Sequence, residues 1–125
     1  MTPCTLIVDD DQTHAEMLAE GLREAGWNAQ SATGVEEALS WMDDCTHSLV
    51  VSDVRMYDGD GFDLLRAVRA SRCPVPVILM SSFGTGATLQ QVLEAGAYAY
   101  LPKPFPLDEL LALVIRAHAE HSLRA

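Results

Sequence analysis

The sequence predicts an α/β fold with a doubly wound, five-stranded parallel sheet, and three observations carry that expectation. Short runs rich in Val, Ile and Leu recur at Leu6–Val8, Leu49–Val51 and Val77–Met80, as in strands buried on both faces of a parallel sheet. Stretches with apolar residues three and four apart separate them, so strands and helices alternate. The runs end in polar residues of different kinds, at the carboxyl ends where open parallel sheets bind ligands. The order reads as a β-α unit repeated five times, with right-handed crossovers and helices on both faces.

After the first strand, Thr13-x-x-Glu16 has the pattern of a capping box, and Leu18, Leu22 and Ala25 follow at helical spacing until Gly26. A weak second strand is expected near Trp27 to Ala32. Thr33-x-x-Glu36 then opens a short helix with Val35, Leu39 and Met42 on its apolar side, ending near Asp43. The strand ending at Asp53 leads into a loop with two turn dipeptides, Asp58-Gly59 and Asp60-Gly61, before a third helix carrying Phe62, Leu65 and Val68. Pro74 and Pro76 bracket the entry to the fourth strand. Gly84 and Gly86 loosen the following loop, and Leu89, Val92 and Leu93 mark a fourth helix stopped by Gly96. The fifth strand is the Ala99–Pro102 run. Leu107, Leu110, Leu111, Val114 and Ile115 then describe a long final helix with a broad apolar stripe.

The 125 residues are expected to form one domain, large enough to fold without metals or disulfides. A formal charge of -10 opposes binding to nucleic acid or anionic lipid, so this domain is expected to contact neither. Cys4, Cys45 and Cys73 form no Cys-x-x-Cys pair and are expected to be unpaired thiols of a reducing compartment. The sequence has neither a signal-peptide pattern nor an apolar stretch near 18 residues. A cytoplasmic location is the expectation.

If the strands lie side by side, Asp9, Asp10, Asp53, Ser81 and Lys103 converge on one pocket. Like charges a few Å apart repel by several kcal/mol at an intermediate dielectric. A hard cation would relieve that repulsion, and Mg2+ suits oxygen ligands with phosphate oxygens nearby. Asp53 could then attack a phosphoryl donor while Lys103 and the Ser81 hydroxyl meet the phosphoryl oxygens. The product would carry a charge of roughly -1.5 to -2, if it behaves like other phosphorylated side chains.

With these residues in view, the chain resembles the receiver domain of two-component response regulators over nearly its whole length. The elements that match are Asp9-Asp10 after a hydrophobic strand, Asp53 ending another, Asp60-Gly61, Ser81, Tyr100 and Lys103-Pro104-Phe105, in the family's order. The resemblance implies a flavodoxin- and CheY-like sheet of strand order 2-1-3-4-5, with residues 1–125 as one receiver domain. It also implies that Asp53 is the phosphoacceptor, that Asp10 binds Mg2+ with help from Asp9, and that the Arg55 carbonyl adds a ligand. Lys103 would pair with Asp53 or its phosphoryl group, across a bond to Pro104 that resembles one that is cis in the family. Ser81 and Tyr100 would be the switch pair, and the fourth helix, fifth strand and fifth helix the output face. A sensor histidine kinase or phosphotransfer protein would supply the phosphoryl group. The output would pass to an effector domain or downstream protein, or to a homodimer through that face. The segment from Tyr100 to Phe105 is most similar to receivers of enhancer-binding transcriptional activators, the NtrC type. Whether an effector follows residue 125 is left open.

Two positions depart from the family pattern, Tyr57 and Ser82, the latter at a site often held by Ala. Tyr57 stands where many relatives have Pro, which leaves the loop after Asp53 less constrained. Phe83 and Arg55 flank the expected phosphoryl position, where they are expected to hinder water and lengthen the phosphorylated lifetime. Among single residues, Asp11 is expected to cap the first helix, Trp27 and Trp41 to pack, and His118 and His121 to lie on a solvated helix face.

One alternative uses related chemistry, a second binds a cofactor, and a third does without phosphorylation. A haloacid dehalogenase-like phosphatase needs a second Asp two residues after its nucleophile, a position held here by Arg55. A flavodoxin-like FMN site would face repulsion from Asp9, Asp10 and Asp11. A receiver-like interaction module could act without phosphorylation. The reading adopted is a signalling domain that catalyses only its own phosphorylation and dephosphorylation.

Overall fold

The computed structural model describes residues 3–82 and 88–124, with side chains described as far as residue 120. Strands β1 (Cys4–Val8), β3 (Leu49–Asp53) and β6 (Val77–Ser81) form the centre of the sheet, and every residue of β3 and β6 is buried. The more polar β2 (Asn28–Ala32) and the short β7 (Ala99–Pro102) form its edges. All five pair in parallel in the order β2-β1-β3-β6-β7. The expected 2-1-3-4-5 arrangement therefore holds, with one addition. Arg55–Met56 (β4) and Gly59–Asp60 (β5) pair antiparallel within the loop after Asp53.

Alternation along each strand separates two cores. Leu6, Val8, Val50 and Leu79 face α2 (Val35–Met42), α3 (Gly61–Arg69) and α4 (Leu89–Glu94). Ile7, Val51, Ile78 and Met80 face α1 (Gln12–Glu24) and α5 (Leu107–Arg124). Leu110 and Val114 are fully buried on α5, whereas Ile115 is 53% exposed, so the apolar stripe is narrower than expected. Trp27 packs against the second core as expected, but Trp41 is 40% exposed, with its ring edge-on to His47.

Helix starts differ from the expected capping boxes. Asp11 caps α1 as expected, accepting from the His14 N–H at 3.1 Å, so the Thr13-x-x-Glu16 pattern lies inside the helix. Gly34 precedes α2 without a cap of its own, and Asp58 supplies one from another loop. Among the described residues no helix is long and apolar enough to cross a membrane.

Two further expectations are corrected. Cys45 and Cys73 are paired rather than free, with Cα atoms 5.7 Å apart, while Cys4 is unpaired. The turns after α2 and α3 return to the same end of the sheet, a proximity that sequence spacing does not express. His118 is buried rather than solvated: it stacks on Trp27 with ring centroids 5.0 Å apart, and its Nε2 lies 2.8 Å from Ser48 Oγ. The side chain of His121 lies outside the described residues.

Candidate functional site

Strand register alone gathers most of the predicted residues. Val8 pairs with Ser52, so the next residues along, Asp9 and Asp53, emerge level at the carboxyl end of the sheet. Ser81 pairs with Pro102, and the Lys103 N–H donates to the Ser81 carbonyl at 2.7 Å, which brings Lys103 to the same end. Asp9, Asp53 and Ser81 are all buried, whereas Asp10 is exposed. The Lys103–Pro104 bond is cis.

Lys103 Nζ donates to Asp53 Oδ2 at 2.9 Å and to Asp9 Oδ2 at 3.0 Å, bridging two buried carboxylates with one ammonium. Burial disfavours the Lys103 charge, but these hydrogen bonds outweigh it and raise its pKa above the ordinary lysine value. Burial also pushes Asp9 upward. Hydrogen bonds from His14, the Asp11 N–H and Lys103 more than offset this and hold Asp9 below the usual carboxylate range. Desolvation, followed by repulsion from Asp9 and Asp53, raises the pKa of Asp10 and outweighs the hydrogen bond from its own backbone N–H and the attraction of Lys103.

Carboxylate oxygens of Asp9, Asp10 and Asp53 lie within 4.8 Å of one another. Three carboxylates facing one ammonium leave excess negative charge. Hard oxygen ligands and a raised Asp10 fit a divalent cation such as Mg2+, which would remove the repulsion. Beside Asp10 and Arg55 opens a cavity of about 760 Å³, also lined by Tyr57, Asp60 and Phe62.

The loop that carries Arg55 is restrained without a proline at position 57. The β4-β5 pairing closes it, and Asp60 caps α3 at one end through a reciprocal box with Asp63. At its tip Asp58 accepts from the Val35 and Glu36 N–H groups at 2.9 and 3.1 Å. A Cβ on Gly34 would come within 2.8 Å of Asp58 Oδ1. Gly61 brings the chain back over β3, where a Cβ would lie 2.6 Å from the Asp53 carbonyl oxygen. The looseness expected from Tyr57 is thus countered by other contacts.

Tyr100 is half-buried against the α2-α3-α4 core, and Ser81 Oγ donates to the Ser82 carbonyl at 3.2 Å. Arg55 is exposed, and Phe83 lies outside the described residues. The sequence reading missed two residues that touch the site or its loop. His14 Nδ1 sits 2.6 Å from Asp9 Oδ2, and its one signal is a position in the first turn of the helix after Asp9. Asp58 was read only as a turn residue, because its partners lie 22 and 23 positions away.

Comparison with known proteins adds independent support. The family model described as response regulator receiver domain matches residues 5–115. The DNA-binding transcriptional regulator NtrC of Rhizobium meliloti is 38% identical over 125 residues, covering 99% of this chain and 26% of that protein. The transcriptional regulatory protein ZraR of Escherichia coli is 36% identical over 121 residues, covering 96% of this chain and 27% of that one. The chain thus spans about a quarter of the length of these relatives. A crystal structure of a putative response regulator from Chloroflexus aurantiacus superposes with a TM-score of 0.86 at 35% identity, covering 95% of this chain and 99% of that one. Together with the strand order and the carboxylate cluster, these matches establish that the chain belongs to the response regulator receiver domain family.

Proposed function

We propose that Asp53 accepts a phosphoryl group from a histidine kinase or phosphotransfer protein, and that the modified domain signals through α4, β7 and α5. The observation that carries this reading is Asp53 itself: buried at a strand end, 2.9 Å from the Lys103 ammonium, and clustered with two further carboxylates. Asp9, Asp10 and the Arg55 carbonyl, with Asp53, would hold Mg2+. When bound, the metal neutralises charge on the phosphoryl oxygens and aligns donor with acceptor.

An Asp53 carboxylate oxygen forms the new bond to phosphorus as the bond to the donor's imidazole nitrogen breaks and the electron pair stays on that imidazole. Lys103 turns from the carboxylate to the incoming phosphoryl oxygens. Ser81 exchanges its bond to the Ser82 carbonyl for one to the same oxygens, vacating space that Tyr100 fills by turning inward. Exposed Leu89 and Leu93 give α4 apolar surface for an effector domain, a partner protein or a second copy. The names of the NtrC and ZraR relatives favour control of transcription as the output. Cytoplasmic location accords with this role.

The test is intact mass after incubation with a small acyl phosphate such as acetyl phosphate. One phosphoryl group is expected on the wild type only when Mg2+ is present, and none on Asp53→Asn. Equal uptake by the variant would overturn the assignment.

A further inference from the structure

We propose that Cys45 and Cys73 form a reversible thiol–disulfide site that exchanges with low-molecular-weight disulfides and braces the unit carrying Asp53. Cys45 lies in the turn after α2 and Cys73 in the turn after α3. Their 5.7 Å Cα separation falls within the range that a disulfide spans. Both residues are half-buried, so a small disulfide can reach them. The two turns are also joined without sulfur, since Arg72 Nη2 donates to the Asp43 carbonyl at 3.0 Å. That contact involves no sulfur, so reduction would not remove it.

Cys4 behaves differently. Burial raises the pKa of its thiol, and among the described cysteines it alone is unpaired. It serves as an internal reference.

The exchange runs in two steps. One protein thiolate attacks the small disulfide, forming a mixed disulfide and releasing one small thiol. The second protein thiolate then attacks the protein-side sulfur and releases the other. The protein dithiol is oxidised to a disulfide, and one small disulfide is reduced to two thiols that carry the two protons. The bond closes a loop of 28 positions that contains β3, Asp53, the β4-β5 pair and α3. Cross-linking this segment restricts the unfolded chain and suppresses separation of the two turns. The inference goes beyond phosphoryl transfer and does not depend on it, so the experiment is run in both wild type and Asp53→Asn.

The protein is equilibrated in glutathione buffers from fully reduced to fully oxidised, alkylated with N-ethylmaleimide and weighed intact. The three cysteines should take three labels at the reduced end and one at the oxidised end, with peptide mapping placing the last on Cys4. The oxidised form should melt roughly 10 °C higher, and amide exchange across residues 46–72 should slow. Cys73→Ser should abolish both differences, and Asp53→Asn should leave them intact. Three labels at every ratio, a stable mixed disulfide without closure, or a bond recruiting Cys4 would overturn the proposal. So would a single label that persists under full reduction, since that bond would be permanent.

Discussion

The two ends of the sheet are held together by opposite means. At the carboxyl end, Asp9, Asp10 and Asp53 crowd around Lys103, and Asp10 is held in its charged form only against desolvation and repulsion. At the amino end, the turns that feed the strands are stitched by Cys45–Cys73, by Arg72 on the Asp43 carbonyl, and by His118 between Trp27 and Ser48. One end gathers three carboxylates around a single ammonium. The other supplies rigidity through covalent, stacking and hydrogen-bond contacts between turns, which teaches that the site can be costly because the far end is firm.

Removing Lys103 should break the carboxyl end most severely. Lys103→Ala leaves two buried carboxylates without their shared cation and should lower the unfolding free energy by about 2–4 kcal/mol in urea titrations, while phosphoryl uptake falls at least tenfold. A matching cut at the amino end sharpens the contrast. His118→Ala removes a buried stack and a hydrogen bond, and should lose about 2 kcal/mol while phosphoryl uptake with acetyl phosphate stays within twofold.

Asp58 joins the two regimes, because it caps α2 from the loop that carries Arg55. Asp58→Ala should lower stability by about 1–2 kcal/mol and weaken Mg2+ binding several-fold in calorimetric titration. Asp58→Asn, which keeps one carbonyl acceptor, should recover part of both.

The smallest effect has the opposite sign. Asp10 has a raised pKa in the folded state, so its charge costs stability at neutral pH and protonation relieves that cost as pH falls. Asp10→Asn should therefore stabilise the metal-free protein by roughly 0.5–1 kcal/mol at pH 7, after solvent screening, with the gain fading toward pH 3 and Mg2+ affinity lost. Asp9 has a lowered pKa, so its contribution is present above the ordinary carboxylate range and declines as pH falls through the folded value. Lys103 has a raised pKa, and its contribution persists until pH climbs past the ordinary lysine range. Denaturation across pH should separate the Asp10 and Asp9 signs.

What could be read in the sequence was local. Strands β1, β3 and β6 announce themselves because burial on both faces demands unbroken apolar runs, and the residues just past them fall at the carboxyl end by register. Asp53, Asp9 and Lys103 were legible for that reason. Asp11 was legible as a cap because its partner is three residues away. The Asp58 cap, the Cys45–Cys73 pair and the burial of His118 depend on segments separated by 22 to 70 positions that meet only in the fold. The β4-β5 pair was hidden by its length, since two residues show no period. Tyr57 looked like a loss of restraint because the contacts that replace proline's stiffness come from Asp58, Asp60 and Asp63.

The central claim is that Asp53, and no neighbouring carboxylate, carries the phosphoryl group. The most direct test is borohydride reduction of the phosphorylated protein, which converts an acyl phosphate to an alcohol, followed by peptide sequencing. The account predicts homoserine at position 53 alone and none without Mg2+. Homoserine at position 9, 10 or 60, or at position 53 regardless of Mg2+, would contradict it.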